Sequence, residues 1–242
     1  MQASDFRTLW SLVAHPIRGG THQERLDSFY RKQAEHYDRF RERLLRGRAE
    51  LYKMIDAPTG GVWVDLGGGT GANLSHLAPR LPGLAKVYLV DLCEPLVEVA
   101  RRRVAENNWA NVEVVQADAT RFVPPEQEAD VVTFAYSLTM IPDWFAAIEH
   151  ALSLLRPGGL LGVVDFYVSR KHPHQGWARH GWATRTFWPI WFATDNVHLN
   201  PDHVPFLHSR LEPLTVSEHR APVPYLPLAR VPYYRFIGRK RG

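Results

Sequence analysis

The stretch Val62-Trp63-Val64-Asp65-Leu66-Gly67-Gly68-Gly69-Thr70-Gly71-Ala72-Asn73 decides how this chain folds. Val62, Trp63 and Val64 make a short apolar run of the kind buried on both faces of a parallel sheet. A glycine-rich turn follows, and a helix is expected to open at Asn73 and Leu74. Gly67, Gly69 and Gly71 permit a sharp turn and a close approach of backbone to ligand that a Cβ would obstruct. Asp91 lies 26 positions beyond Asp65, at the end of a second expected strand, Lys86 to Val90. A carboxylate at that tip can hold both hydroxyls of a ribose. The unit therefore reads as a nucleoside-binding strand–turn–helix–strand, although tight turns also use glycine for purely structural reasons.

The glycine spacing narrows the ligand. A dinucleotide turn runs G-x-G-x-x-G and seats a pyrophosphate on a helix N-terminus. Here the order is G-x-G-x-G with an aspartate two positions ahead. This resembles the class I S-adenosylmethionine-dependent methyltransferases, whose ligand has an amino acid in place of the pyrophosphate. The resemblance implies a Rossmann-like α/β fold of seven strands, mostly parallel with an antiparallel last strand. It also implies S-adenosylmethionine as cofactor and S-adenosylhomocysteine as product. Asp65 would help orient the methionine ammonium, Asp91 would take the ribose, and Asp118 would accept the adenine amine. Gly67, Gly69, Gly71, Leu92, Ala119, Tyr136 and Tyr37 complete the implied cofactor shell.

Length and composition set the frame. A chain of 242 residues suits one α/β domain with additions: an N-terminal helical cap over 1–55 and a methyltransferase domain over 56–242, with a lid over about 168–212. A single cysteine, Cys93, excludes an internal disulfide framework. No apolar run approaches ~20 residues, and no signal-peptide pattern opens the chain, so the expectation is a cytoplasmic protein. Charge is unevenly spread. Residues 1–55 hold eleven Lys/Arg against seven Asp/Glu, residues 56–166 seven against fourteen, and residues 167–242 eleven against four. Basic flanks attract anionic surfaces, while a solvated arginine-rich shell is the plainer reading.

Along the chain, Phe6 to Ala14 reads as a short amphipathic helix and Glu24 to Ile55 as one long or kinked helical stretch. On it, Tyr30 and Tyr37 share a face and Arg41 lies one turn beyond. They stand either as core tyrosines or as binding residues, since the superfamily helix ahead of the first strand often covers the methionine end of the cofactor. A helix is expected from the glycine turn to Leu81, another over Pro95–Glu106, and a third over Trp144–Leu155. Strands are expected at Val112–Gln116, Asp130–Tyr136, Leu160–Phe166, Pro213–Arg220 and Val231–Arg239, with Arg156-Pro157-Gly158-Gly159 as the turn before the fifth. Residues 167–200 interleave Tyr167, Trp177, Trp182, Phe187, Trp188, Trp191 and Phe192 with Arg170, Lys171, Arg179 and Arg185. Such a segment can lie on a membrane or pack inward as a helical lid.

Four pieces carry a narrower resemblance: Tyr37-Asp38-Arg39-Phe40-Arg41-Glu42 with Leu44-Leu45-Arg46-Gly47-Arg48, then Trp63 to Thr70, Tyr136-Ser137-Leu138-Thr139-Met140-Ile141-Pro142, and Trp191 to Leu199. Together they are similar to the N-methyltransferase family of betaine-lipid synthesis. That family makes diacylglyceryl-trimethylhomoserine by three methylations of diacylglyceryl-homoserine. The resemblance implies a lipid substrate, an anionic membrane surface, association with the enzyme that builds the homoserine headgroup, and no nucleic acid. Methyl transfer from a sulfonium is an in-line displacement governed by positioning and electrostatics. The attacking amine must be neutral, and the quaternary product suits aromatic faces. Tyr136 is the candidate for orienting the amine. His198 or Asp195 is the candidate for proton loss or headgroup binding, with a structural histidine the alternative for His198. Tyr30, Arg41, Ser137 and Trp191 are candidates for the substrate. No metal is expected, because His198, His203 and His208 are spaced by five and do not share a helical face. Other acceptors remain open (phosphatidylethanolamine, a quinone ring, a small metabolite), as does a non-catalytic cofactor-binding module.

Overall fold

A computed structural model describes residues 20–21, 23–24, 43–224, 226 and 229–242. The Phe6–Ala14 helix, most of the expected 1–55 cap, and Tyr30, Tyr37 and Arg41 lie outside the described residues.

Seven strands form one sheet: β1 (Val62–Leu66), β2 (Lys86–Asp91), β3 (Val112–Gln116), β4 (Ala129–Ala135), β5 (Leu155–Phe166), β6 (Glu212–Pro222) and β7 (Arg230–Arg239). Their order is β3-β2-β1-β4-β5-β7-β6. The first five pair in parallel, and β7 runs antiparallel to both β5 and β6. This is the seven-stranded Rossmann-like architecture expected from the glycine turn.

The apolar runs of the central strands are buried on both faces because helices cover both. Trp63 and Val64 are fully buried yet belong to opposite cores, as the two-residue period of a strand requires. On one face lie α1 (Arg48–Met54), α2 (Leu74–Leu77) and α3 (Glu94–Glu106), joined by α5 (Trp182–Ala193). On the other lie α4 (Trp144–Leu154) and α6 (His203–Arg210). Tyr52 of α1 stacks on Trp63 of β1 at 5.7 Å. Asp143 caps α4 by accepting the Ala146 N–H at 3.0 Å.

Three expectations need correction. The helix after the glycine turn is α only over Leu74–Leu77 and then a 3-10 segment over Ala78–Gly83, where Pro79 and Pro82 each lack an N–H for α pairing. The helical stretch expected to run to Ile55 is broken at Gly47, whose φ of 86 is left-handed; a Cβ there would sit 2.7 Å from Tyr233. Arg156–Gly159 is no turn before β5 but part of it. Leu155 pairs with Ala129 and Leu160 with Val131, so the proline and glycines bulge out between them.

Candidate active site

The C-terminal tips of β1 to β4 open into one cavity of about 380 Å³. Open α/β sheets bind ligands at this edge, where the strand order reverses. Here the reversal falls between β1 and β4. The glycine turn forms one wall. Gly67, Gly69 and Gly71 have φ of 71, 58 and 72, conformations that side chains disfavour. Gly67 is also pinned sterically, for a Cβ on it would lie 2.4 Å from the Cβ of Ser137. Ser137 donates its hydroxyl to the Leu66 carbonyl at 2.8 Å, so the turn after β1 is locked to the tip of β4.

Asp91 stands at the tip of β2 and borders the cavity. Its Oδ2 accepts the Gly69 N–H at 2.8 Å and its Oδ1 the Cys93 N–H at 2.9 Å. Two backbone donors thus fix the carboxylate, and its remaining lone pairs can accept the two hydroxyls of a ribose. Leu92 lies beside it. At the tip of β3, Asp118 and Ala119 also border the cavity, with Asp118 Oδ1 accepting the Thr120 N–H at 2.8 Å and its hydroxyl at 2.7 Å.

Asp65 does not border the cavity. It is buried beneath the turn, where Oδ1 accepts the hydroxyls of Tyr52 and Thr133, each at 2.7 Å. Burial pushes its carboxyl up, against the pull of those two hydroxyls. Trp63 Nε1 donates to Thr133 at 3.0 Å and completes the strand-to-strand network. Gly71 likewise supports the turn from behind.

Arg48, which sequence reasoning passed over in favour of Arg41, does border the cavity. Its side chain is buried, with Nη1 donating to Asn73 Oδ1 at 3.1 Å and Nε to the Leu45 carbonyl at 3.2 Å. Its signal was present in the Leu44–Arg48 piece, directly after the glycine that breaks the helix. The donor set is therefore a carboxylate for a diol, a second carboxylate at β3, and a guanidinium with an amide beside the glycine turn. That set fits an adenosine joined to an amino acid, the chemistry of S-adenosylmethionine.

Tyr136 and Ser137 close the cavity at the tip of β4. Tyr136 has φ of 59, a strained conformation for a bulky side chain. Its hydroxyl donates to the Arg46 carbonyl at 2.6 Å and its ring lies edge-on to Phe166 at 4.6 Å. Burial raises the phenol well above its ordinary value, so it stays neutral. Behind this loop, Asp165 accepts the Thr139 hydroxyl at 2.8 Å, the Thr139 N–H at 3.1 Å and the Phe166 N–H at 2.8 Å. Burial nevertheless outweighs these donors and lifts its carboxyl to about 7.

His198, Asp195 and Trp191 do not border this cavity. The His198 N–H donates to the Thr139 carbonyl at 2.7 Å, while its imidazole is exposed. Asp195 is half-buried, and burial alone raises its carboxyl to about 6. Trp191 is exposed and lies against Phe187 at 5.6 Å. The aromatic path from Tyr136 to the lid instead runs through Phe166 and Phe192 (4.9 Å) to Trp188 (5.8 Å).

Comparison with known proteins agrees with this geometry. Residues 64–159 match the methyltransferase domain family. The ubiquinone/menaquinone biosynthesis C-methyltransferase UbiE of Ectopseudomonas mendocina is 31% identical over 149 residues, covering 59% of this chain and 58% of that protein. The UbiE of Pseudomonas putida strain KT2440 is 34% identical over 140 residues, covering 55% of this chain and 54% of that protein. The chain thus spans little more than half the length of the curated relatives it matches. Among solved structures, phosphoethanolamine N-methyltransferase 2 of Haemonchus contortus superposes with a TM-score of 0.69 at 15% identity, covering 93% of this chain and 61% of that one. A SAM-dependent methyltransferase from Aquifex aeolicus gives 0.60 at 16% identity, over 85% and 97%. Fold, glycine turn and the family match over residues 64–159 agree: the chain has the class I methyltransferase fold, and S-adenosylmethionine is the cofactor its site suits.

Proposed function

We propose that the protein methylates the amine of a lipid headgroup, converting diacylglyceryl-homoserine to its trimethyl betaine in three turnovers. The observation that carries this reading is a contact between two distant segments. Tyr136–Pro142 and Trp191–Leu199, two of the pieces that resemble the betaine-lipid N-methyltransferases, meet backbone to backbone where the His198 N–H reaches the Thr139 carbonyl at 2.7 Å. A segment that supports the cavity edge from the lid is placed to shape what enters.

The bound cofactor supplies an electrophilic methyl group on a sulfonium. Asp91 would hold the ribose, Asp118 would meet the adenine amine, and Arg48 with Asn73 would receive the amino-acid end. The Tyr136 hydroxyl donates a hydrogen bond to the Arg46 carbonyl, so its oxygen keeps lone pairs to accept an N–H of the incoming amine and aim the nitrogen lone pair. Each of the first two methylated amines must shed a proton before it can attack again. The third product has no proton to lose.

The Haemonchus neighbour, solved with phosphomonomethylethanolamine, shows that a similar fold serves amine methylation. The UbiE relatives favour a second reading, methylation of a quinol ring carbon. Purified protein with S-adenosylmethionine should be offered diacylglyceryl-homoserine in detergent micelles and, separately, a demethylated quinol. Mass detection of mono-, di- and trimethyl lipid supports the first reading; methylated quinol with unchanged lipid establishes the second instead.

A further inference from the structure

The outward half of α5 is unlike any other described surface of the molecule. At 100° per residue, Trp182, Ala183, Thr186, Phe187, Ile190, Trp191, Ala193 and Thr194 share one side of the helix. Trp182 is 79% exposed, Ile190 67%, Phe187 46% and Trp191 39%. That half has no ionisable group; Arg185, the helix's one charged residue, falls on the opposite side. The inward half seats Trp188 and Phe192 in the core and carries Arg185. An outward apolar face of this size is normally covered. Charge supplies the second observation. From Phe166 to Thr194 there are four Lys/Arg and no Asp/Glu, and Lys171 and Arg179 are exposed just ahead of the helix. Arg170 is already paired with Asp202 at 2.6 Å.

We propose that α5 lies flat on an anionic bilayer, with its Trp182–Trp191 side at headgroup depth and the cations before it on lipid phosphates. Indole rings favour that interfacial layer, and a basic approach favours an anionic leaflet. No described helix is long and apolar enough to cross a membrane, so the contact is in the plane of the surface. The arrangement also points the site. Phe192 on the inner side of α5 packs on Phe166, and Phe166 packs on Tyr136 at the cavity wall. Docking through α5 therefore holds the reacting edge about one helix diameter, ~10 Å, from the leaflet surface. This rests on a lipid acceptor being the substrate.

The test is flotation of the full chain with vesicles of phosphatidylcholine alone or mixed with phosphatidylglycerol. The protein should float with the mixed vesicles, less with the neutral ones, and less as salt rises. Trp182→Ser with Ile190→Ser should weaken partitioning at least about tenfold, since two large apolar side chains no longer leave water. Affinity for S-adenosylhomocysteine should be unchanged and serves as the check on folding. An environment-sensitive dye on Ala183→Cys should shift to the blue when mixed vesicles are added. Three results overturn the proposal: undiminished flotation of the double variant, a dye that is already shielded without lipid and does not shift, or a wild-type dimer that the double variant dissolves. Flotation needs no methyl acceptor, so its failure removes the docking surface alone. Absence of transfer to micellar lipid removes the acceptor assignment and leaves flotation standing.

Discussion

Between Gly67 and Gly71 the chain is held by its backbone, whereas between Trp182 and Leu199 it is held by rings. On the cofactor side, left-handed glycines, two N–H groups on Asp91 and a hydroxyl on a carbonyl fix positions to within a hydrogen bond. On the lid side, Phe192 packs at a tilt against both Phe166 and Trp188, and one backbone hydrogen bond from His198 ties the segment to the loop after β4. Directional bonds specify one ligand, while apolar contacts specify a shape that many ligands can share. The methyltransferase family match follows the same division: residues 64–159 include the directionally held turn, and the ring-held segment lies beyond them.

The sharpest way to break this contrast is Gly67→Ala. Its positive φ and the 2.4 Å approach to Ser137 both oppose a Cβ, for a combined cost of about 4 kcal/mol by chemical denaturation. Adding Ser137→Gly should recover the steric part and leave the backbone part. Full tolerance of the alanine would show that the cofactor side is less rigid than its hydrogen bonds imply.

Next is Asp91→Ala, which leaves two N–H groups without their carboxylate and removes the proposed diol acceptor. Affinity for S-adenosylhomocysteine by calorimetry should fall about a hundredfold or more, or ~3 kcal/mol. A loss below tenfold would move the ribose elsewhere.

Asp165 tests the seam between the two halves through pH. Its folded carboxyl, near 7, lies above the ordinary 3.8, so the folded state binds the extra proton. The stability this contributes is fully present below the ordinary value and is lost as pH rises through about 7. Below neutrality, His180 and His203 bend the curve the other way, because burial holds them neutral with values near 4 and 3. The difference between Asp165→Asn and wild type isolates the aspartate. It should move in favour of the variant by roughly 2 kcal/mol from about pH 5.5 to 7. A flat difference would mean that Asp165 is ionised throughout.

The smallest effect belongs to Tyr136→Phe. Losing the hydroxyl removes one hydrogen bond to Arg46 and the acceptor for the amine, so methylation should slow about fivefold, ~1 kcal/mol. Cofactor affinity should be nearly intact. Unchanged turnover would take the hydroxyl out of the acceptor side.

The same contrast governs what could be read from residue order. The glycine turn, Asp91, Asp118 and the strand sequence were legible because each is a local pattern whose physics acts over a few positions. Arg48 was not singled out, because its role depends on Gly47 turning the chain and on Asn73 arriving from the far side of β1. Trp191 was chosen as a substrate candidate and Trp188 was not, yet Trp188 is the inward ring; choosing between neighbours on a helix requires knowing which way the helix faces. Pro79 and Pro82 announced a tighter helix that the apolar periodicity concealed. The reach of Tyr136 to Arg46 spans 90 positions, and no spacing rule predicts it.

Reversal of β7 has a consequence for how such a protein can change. Because β7 runs against both neighbours, β5 and β6 are parallel, and everything between Tyr167 and Leu211 is a single excursion from the rim where β5 ends to the opposite rim where β6 begins. The excursion can be lengthened, shortened or rewritten without touching a residue that borders the cavity. A lineage could thus exchange one methyl acceptor for another by editing one insert, with the floor beneath it inherited intact.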